Sequence, residues 1–158
     1  MADDARSISW TVLDGGDLDA ATLHDVLALR SAVFVVEQDC AYQDIDGLDL
    51  ADGTRHVMGR APWIGGGIAA YARVLAPDGD HPTPRIGRVI VSGAARGRQL
   101  GRQLMERALA TCEEHWPGGP VELGAQAHLT GFYGSLGFES VGAPYDEDGI
   151  PHQWMRRG

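Results

Sequence analysis

Lysine is absent from this chain of 158 residues: all 13 of its cationic side chains are arginine, against 22 acidic ones. Without lysine the protein can form no side-chain Schiff base and no lysine-dependent phosphate loop. The formal net charge of −9 also opposes binding to a nucleic-acid backbone, which requires a basic face. We therefore expect no nucleic-acid partner, and a cationic or amine partner suits an acidic protein better.

Cysteines and long apolar segments are scarce as well. Cys40, Cys112 and the six histidines show no metal-binding spacing, so we expect neither a disulfide framework nor a metal site. No apolar run approaches the ~20 residues that cross a membrane, and the acidic first residues lack the layout of a secretion signal. These absences predict a cytoplasmic protein with no membrane partner, and the length predicts one domain over residues 1–158.

Glycine is abundant, with 22 residues, about twice the usual ~7% share. The periodicity of apolar residues predicts an α/β chain of mixed helices and strands. Helices are predicted from Asp19 to about Val36, over 100–115 and over 127–136, and strands around 8–12, 56–60, 67–75, 85–92, 121–123, 138–141 and 152–155. Strict alternation along the strand at 67–75 places Ile68 on the face opposite Tyr71.

The most informative segment is 89–105, where a buried strand ends in a turn rich in glycine and arginine that opens into an amphipathic helix. The first N–H groups of a helix have no acceptor within it, and the helix dipole is positive at that end. The turn is therefore suited to a phosphate or pyrophosphate, and Gly97 and Gly101 would allow its close approach. The side chains that could add charge-assisted hydrogen bonds are Arg96, Arg98 and Arg102. By spacing alone, a plain turn with solvated arginines fits equally well.

Two signatures of this chain resemble those of the GNAT acyltransferase superfamily. The run Arg96-Gly97-Arg98-Gln99-Leu100-Gly101 resembles its pyrophosphate loop, R/Q-x-x-G-x-G/A, with Gln99 in place of the first glycine. The run AHLTGFYGSLGF over 127–138 resembles its second signature, a helix that ends in F-Y-x-x-x-G-F. Further segments at 34–47, 86–92, 124–129 and 148–152 are similar to the ElaA-like branch. The resemblance covers about residues 13–156.

The resemblance implies a GNAT fold, α/β (α+β) in class, with a mixed, strongly bent central sheet flanked by helices. The central strands of that fold splay apart, so that the pantetheine arm of an acyl-CoA pairs with strand backbone. Acetyl-CoA is implied as the acyl donor. The residues expected to contact it are Val89, Ile90, Val91, Arg96, Gly97, Arg98, Gln99, Leu100, Gly101, Arg102 and Gln126. A homodimer is common in the superfamily and is one expectation for an oligomeric state that stays open.

Acylation of an amine requires a neutral nucleophile and a proton for the departing thiolate. A lysine-like amine has a pKa near ~10.4, so a base or an ordered water should help it to lose a proton at pH 7. Tyr133 stands where many members of the superfamily place a tyrosine near the sulfur of CoA. The resemblance implies that Tyr133 is the acid, and the alternative is a packing aromatic.

The base is open among four residues that adjoin these motifs. Glu37 and His128 are placed slightly ahead of His56 and His152. Histidine titrates in the range that the reaction needs, and Glu37 could act through a water molecule. For each of the four taken alone, a structural or surface role is the commoner one.

A second, fainter resemblance is to acyl-homoserine lactone synthases, which share the fold and hold an arginine–carboxylate network near the substrate. The residues that match this layout are Arg30, Phe34, Glu37, Asp44, Asp46, Arg73, Gly87 and Arg88. Because a buried arginine must be paired wherever it occurs, internal ion pairs are the preferred interpretation of these residues.

Together these patterns predict an acetyl-CoA-dependent N-acetyltransferase that acts on a primary amine of a small molecule or a peptide. The carboxylate-rich segment 37–52 would offer an acidic rim to a cationic acceptor. Two alternatives stay open. One is a non-catalytic module that binds acyl-CoA, and the other is an acyltransferase with a longer acyl donor, as in acyl-homoserine lactone synthases.

Overall fold

Helices and strands follow one another much as the periodicity predicts. The computed structural model describes residues 7–158, so the acidic residues behind the secretion argument lie outside the described range. The helices are α1 (Ala20–Arg30), α2 (Leu100–His115) and α3 (Thr130–Gly134). The strands are β1 (Ser9–Asp14), β2 (Arg55–Ala61), β3 (Gly67–Leu75), β4 (Arg85–Val91), β5 (Val121–Gln126), β6 (Glu139–Ser140), β7 (Tyr145–Glu147) and β8 (Ile150–Arg157).

These strands form one mixed sheet in the order β1-β2-β3-β4-β5-β8-β6, and β7 pairs with the start of β8. β4 and β5 run parallel and are joined within the described chain at a single position, Arg85 opposite Glu122. Beyond that position the two strands separate toward their carboxyl ends. The splayed central strands expected of a GNAT fold are therefore present.

β4 also contains a bulge. Tyr71 pairs with Ile90 and Arg73 pairs with Gly87, so two residues of β4 lie opposite one residue of β3. Arg88, at this bulge, has a positive φ of 54°. A bulge bends its strand and increases the local twist, which helps to turn the end of β4 away from β5.

The two faces of the sheet are covered by different helices. Leu104, Met105 and Ala108 of α2 are fully buried, in one core cluster with the alanines of β3. Val26 of α1 belongs to the cluster on the opposite face, with Tyr71. Small residues on β3 let α2 approach the sheet closely, and this fixes where the amino end of α2 lies.

The prediction that Ile68 faces away from Tyr71 is wrong. Gly59 pairs with Ala70 but Arg60 pairs with Ile68, so Ala69 is an extra residue that interrupts the alternation. Ile68 consequently packs in the same cluster as Tyr71. A bulge shifts every side chain beyond it to the other face of the sheet. No residue pattern in this strand predicts the bulge.

Several element boundaries differ from the prediction, among them the end of the strand predicted over 121–123, which runs on to Gln126. α1 ends at Arg30 and continues as a π-helical segment, Ser31–Glu37, in which Gln38 N–H donates to the carbonyl five residues earlier, that of Val33. The helix predicted over 127–136 is a 3₁₀ turn followed by the short α3. The final strand is longer than predicted and forms a hairpin with β7, which was not predicted.

Candidate functional site

A cavity of about 380 Å³ opens where β4 and β5 separate. Val89 of β4 and Gln126 of β5 line it, together with Tyr133 of α3. The remaining walls come from the π-helical segment, the loop that follows it over 38–48, and the β7–β8 hairpin. The site is therefore assembled from both halves of the sheet and from segments far apart in sequence.

The turn before α2 has the geometry of an anion site. Gly97 has a φ of 84°, which favours glycine. Gln99 also lies in the left-handed region, with a φ of 58°, and its side chain does not cap α2. The first N–H groups of α2 therefore point out of the helix without an intrahelical acceptor. The loop signature has a glycine at the position of Gln99, and a positive φ explains why glycine suits it. Gln99 adopts this left-handed conformation although it carries a side chain.

The three arginines predicted to bind phosphate each contact another part of the protein. Arg96 makes a two-pronged ion pair with Glu37, with 3.0 Å between Nη2 and Oε2. Arg98 stacks over Trp63, 4.5 Å from the ring centre, and Arg102 donates to the Ser135 hydroxyl at 2.8 Å. All three are exposed at the mouth of the turn, so an anion bound there would compete with these contacts.

Tyr133 is 5% exposed and faces the cavity from α3. Burial raises the pKa of its hydroxyl to about 12, so the phenol stays protonated at neutral pH. Phe132 and Phe138 pack edge-on against its ring and hold it in place. The hydroxyl of Tyr133 is therefore neutral and is held beside the cavity.

The four candidate bases occupy very different places. Glu37 is engaged by Arg96, which lowers the pKa of its carboxyl, and His128 is exposed on the turn before α3. His56 is fully buried between the Tyr71 hydroxyl and the Asp49 carbonyl, and burial lowers its pKa. His152 lines the cavity. Among the described residues it is the one candidate of the four that does so.

Internal ion pairs account for the arginine–carboxylate layout. Arg30 is fully buried and binds both Asp44 and Asp49. Arg73, also buried, binds Asp49 at 2.9 Å and Asp46 at 2.7 Å. These bonds hold the loop between the π-helical segment and β2, residues 38–54, against α1 and β3. The interpretation of these residues as internal ion pairs is therefore confirmed.

Arg88 extends the network to the edge of the cavity, where it binds Asp44 at 2.7 Å and Asp46 at 3.3 Å. Burial raises the pKa of Asp46, but hydrogen bonds from Arg73 and from the Leu48 N–H outweigh it and lower the pKa to about 2. The negative charges of three aspartates in the expected acidic rim are thus neutralised by three arginines. The aspartates are Asp44, Asp46 and Asp49, and the arginines are Arg30, Arg73 and Arg88.

Comparison with known proteins agrees with this geometry. The pattern of the acetyltransferase (GNAT) domain matches residues 34–157. The chain belongs to the GNAT acetyltransferase family. It is 53% identical over 150 residues to the protein ElaA of Escherichia coli, across 95% of this chain and 96% of that protein.

Solved structures show the same GNAT architecture. An acyl-CoA N-acyltransferase of Pseudomonas aeruginosa superposes with a TM-score of 0.90 at 49% identity, covering 96% of this chain and 100% of that one. The crystal structure of E. coli ElaA superposes with a TM-score of 0.89 at 51% identity, with the same coverage. In residues 7–158 of this GNAT chain, none of the helices has the length and apolar character needed to span a bilayer.

Sequence reasoning missed the contribution of β7 to this GNAT site. Tyr145 and Glu147 line the cavity. The Tyr145 hydroxyl packs so closely against Gly124 that a Cβ added to this glycine would lie 2.5 Å from the hydroxyl oxygen. The available signal was the dipeptide Asp148-Gly149, both residues of which have positive φ. Asp-Gly in that conformation is the usual two-residue turn of a β-hairpin.

Proposed function

We propose that the protein is an acetyl-CoA-dependent N-acetyltransferase that transfers the acetyl group directly to a primary amine of a small molecule or a peptide. The observation that supports this most is the path of the chain itself, which runs from the β4–β5 splay through the turn after β4 to the amino end of α2. One end of that path meets a cavity with a buried, neutral tyrosine. The other end offers unpaired helix N–H groups.

The residues of the path fit an acyl-CoA thioester. Beyond Arg85 the edge of β4 that faces β5 is not paired with it, so backbone groups near Val89 are free to bind the amides of a pantetheine arm. The N–H groups at Leu100 and Gly101 can then bind its pyrophosphate. When bound, the thioester supplies an activated acetyl group.

Tyr133 would donate its proton to the sulfur as the thiolate leaves. The hydroxyl is protonated across the neutral range, as an ordinary phenol is, and burial, which raises its pKa to about 12, makes it a weaker acid than an exposed tyrosine. The same burial keeps bulk water away from the sulfur.

Direct transfer is favoured over a covalent acyl-enzyme by the state of the two thiols. Cys112 is 1% exposed in the core, and burial raises its pKa to about 12. Cys40 lines the cavity, but burial and nearby acidic groups raise its pKa, and its Sγ–H donates to the Asp148 carbonyl. A thiol must ionise to act as a nucleophile, and neither environment assists ionisation.

The deciding experiment is a calorimetric titration with acetyl-CoA, with ATP and NAD as controls. We expect saturable binding of acetyl-CoA and none of the controls, followed by thiol release when a panel of primary amines is added. Binding without release for any amine would favour a non-catalytic acyl-CoA-binding module. Tighter binding and faster release with octanoyl-CoA would favour a longer acyl donor.

A further inference from the structure

We propose that His152 is the general base of the reaction. The assignment rests on the proposed function, because it concerns the acceptor side of the same cavity. It changes the order of candidates drawn from the sequence, in which Glu37 and His128 come first.

The pairing of β8 brings His152 to the cavity from a strand that has neighbours on both sides. On one side it lies opposite Gln126 of β5, and on the other it lies opposite Tyr145 of β7. Alternate residues of β8, Ile150 and Trp154, also line the cavity. His152 thus belongs to a regular face of three strands, and it is held by backbone pairing on both edges.

The hydrogen bonds of His152 determine which nitrogen can accept a proton. Nδ1 lies 2.8 Å from the carbonyl oxygen of Ile150. A carbonyl oxygen can only accept, so Nδ1 must carry the hydrogen and the neutral ring keeps its lone pair on Nε2. A base in this tautomer needs no rearrangement before it takes a proton.

Nε2 is the ring nitrogen that faces a carboxylate. It lies 3.5 Å from Oε2 of Glu147, which also lines the cavity. Tyr145 stacks on the imidazole at 5.7 Å between ring centres and restrains its plane. The other titratable groups on this side of the cavity are Asp148 in the hairpin turn and Cys40 from the 38–48 loop, and the β5 neighbour is the neutral Gln126.

The other three candidates lack one of these properties. Both nitrogens of His56 are bonded in the interior. Glu37 must release Arg96 before its carboxylate is free. His128 is exposed on the α3 side and does not line the cavity.

Two proton transfers, one to His152 and one from Tyr133, accompany the transfer of the acetyl group. The lone pair of the neutral amine forms the N–C bond at the thioester carbonyl carbon, and His152 Nε2 takes the proton that the nitrogen loses. The C–S bond breaks with its electron pair on sulfur, which receives the proton of the Tyr133 hydroxyl. The imidazolium then returns a proton through water to the phenolate, so amine and acetyl-CoA give amide and CoA thiol.

The first test is nitrogen-15 correlation spectroscopy of the histidine rings and of the backbone amides in the full chain, with acetyl-CoA as the probe. We expect His152 in the Nδ1–H form, and ring signals that shift on addition of acetyl-CoA while those of the exposed His24 do not. An Nε2–H tautomer, or unchanged His152 signals while the amides of Gly101 and Arg102 shift, would overturn the assignment but leave donor binding intact. No shift at any residue would overturn the proposed function itself.

The second test compares variants with the best amine from the acceptor panel. His152→Asn keeps a donor for the Ile150 carbonyl but removes the base, and we expect kcat to fall about 100-fold or more with acetyl-CoA affinity unchanged. The acidic limb of the pH–rate profile should disappear, and added imidazole should partly restore His152→Ala. The control is His24→Asn. A larger loss in Glu37→Gln or His128→Asn than in His152→Asn would overturn the proposal.

Discussion

The donor half and the acceptor half of the site are built in different ways. Around the α2 turn, the groups that would meet a ligand are backbone N–H groups and side chains in exposed contacts, such as the ion pair of Arg96 with Glu37. On the acceptor side, the walls rest on buried charges, of which Arg30 is fully enclosed. A site that binds its ligand through backbone N–H groups tolerates substitutions of side chains. A site whose walls are held by buried ion pairs depends on every charged residue in those pairs.

The largest effect is expected where the acceptor half is anchored. Arg30→Met removes the fully buried partner that Asp44 and Asp49 share. Each aspartate then has one arginine left among the described residues, Arg88 for Asp44 and Arg73 for Asp49. We expect the free energy of unfolding to fall by about 3–5 kcal/mol.

Arg60→Met is the matched control, because its ion pair with Asp25 is exposed and worth below about 1 kcal/mol. Urea unfolding measures both. Equal losses in the two variants would remove the contrast between the halves.

In the donor half, the largest effect should come from filling the turn. Gly101→Trp places a bulky side chain in the first turn of α2, where the pyrophosphate is expected. We expect affinity for acetyl-CoA to fall about 1,000-fold, or ~4.1 kcal/mol, with unfolding little changed. Calorimetry checks this against Gly79→Trp, since Gly79 has open space around it in the β3–β4 loop. Retained affinity would place the pyrophosphate elsewhere.

Tyr133 lies where the two halves meet, and its loss should affect one property alone. Tyr133→Phe removes the proton donor and keeps the edge-on packing with Phe132 and Phe138. We expect kcat to drop about 100-fold, with acetyl-CoA affinity within about twofold of wild type. Unchanged turnover would assign Tyr133 to packing.

The smallest effect concerns pH. The pKa of Asp46 is about 2 in the folded protein, below its ordinary value of 3.8. Its contribution to stability is therefore present above pH ~4 and is lost as pH falls from ~4 toward ~2. In Asp46→Asn, the acid-induced decrease in unfolding free energy over that interval should be shallower, as urea titrations at several pH values would show. An identical slope would mean that other carboxylates dominate.

The contrast also explains which parts of the site could be predicted. The turn and α2 are local in sequence, and the observed helix has the predicted bounds, 100–115. The ion pairs of the acceptor half join residues such as Arg88 and Asp44, 44 positions apart. The three-residue β7 has too few residues for any periodicity. Long-range pairing decided the acceptor half, and residue patterns report such pairing poorly.

The π-helical segment sets the direction in which the chain after α1 presents its side chains to the cavity. Its wide turns hold Glu37 against Arg96 and Gln38 against Gln126, at the two sides of the splay. A π-turn contains one residue more than an α-turn, and each residue of a helix rotates its neighbours by about 100°. Deleting Val36 would let α1 run on as a regular helix and turn both side chains away from their partners. The extra residue therefore acts as a spacer that sets the angular position of the cavity's edge.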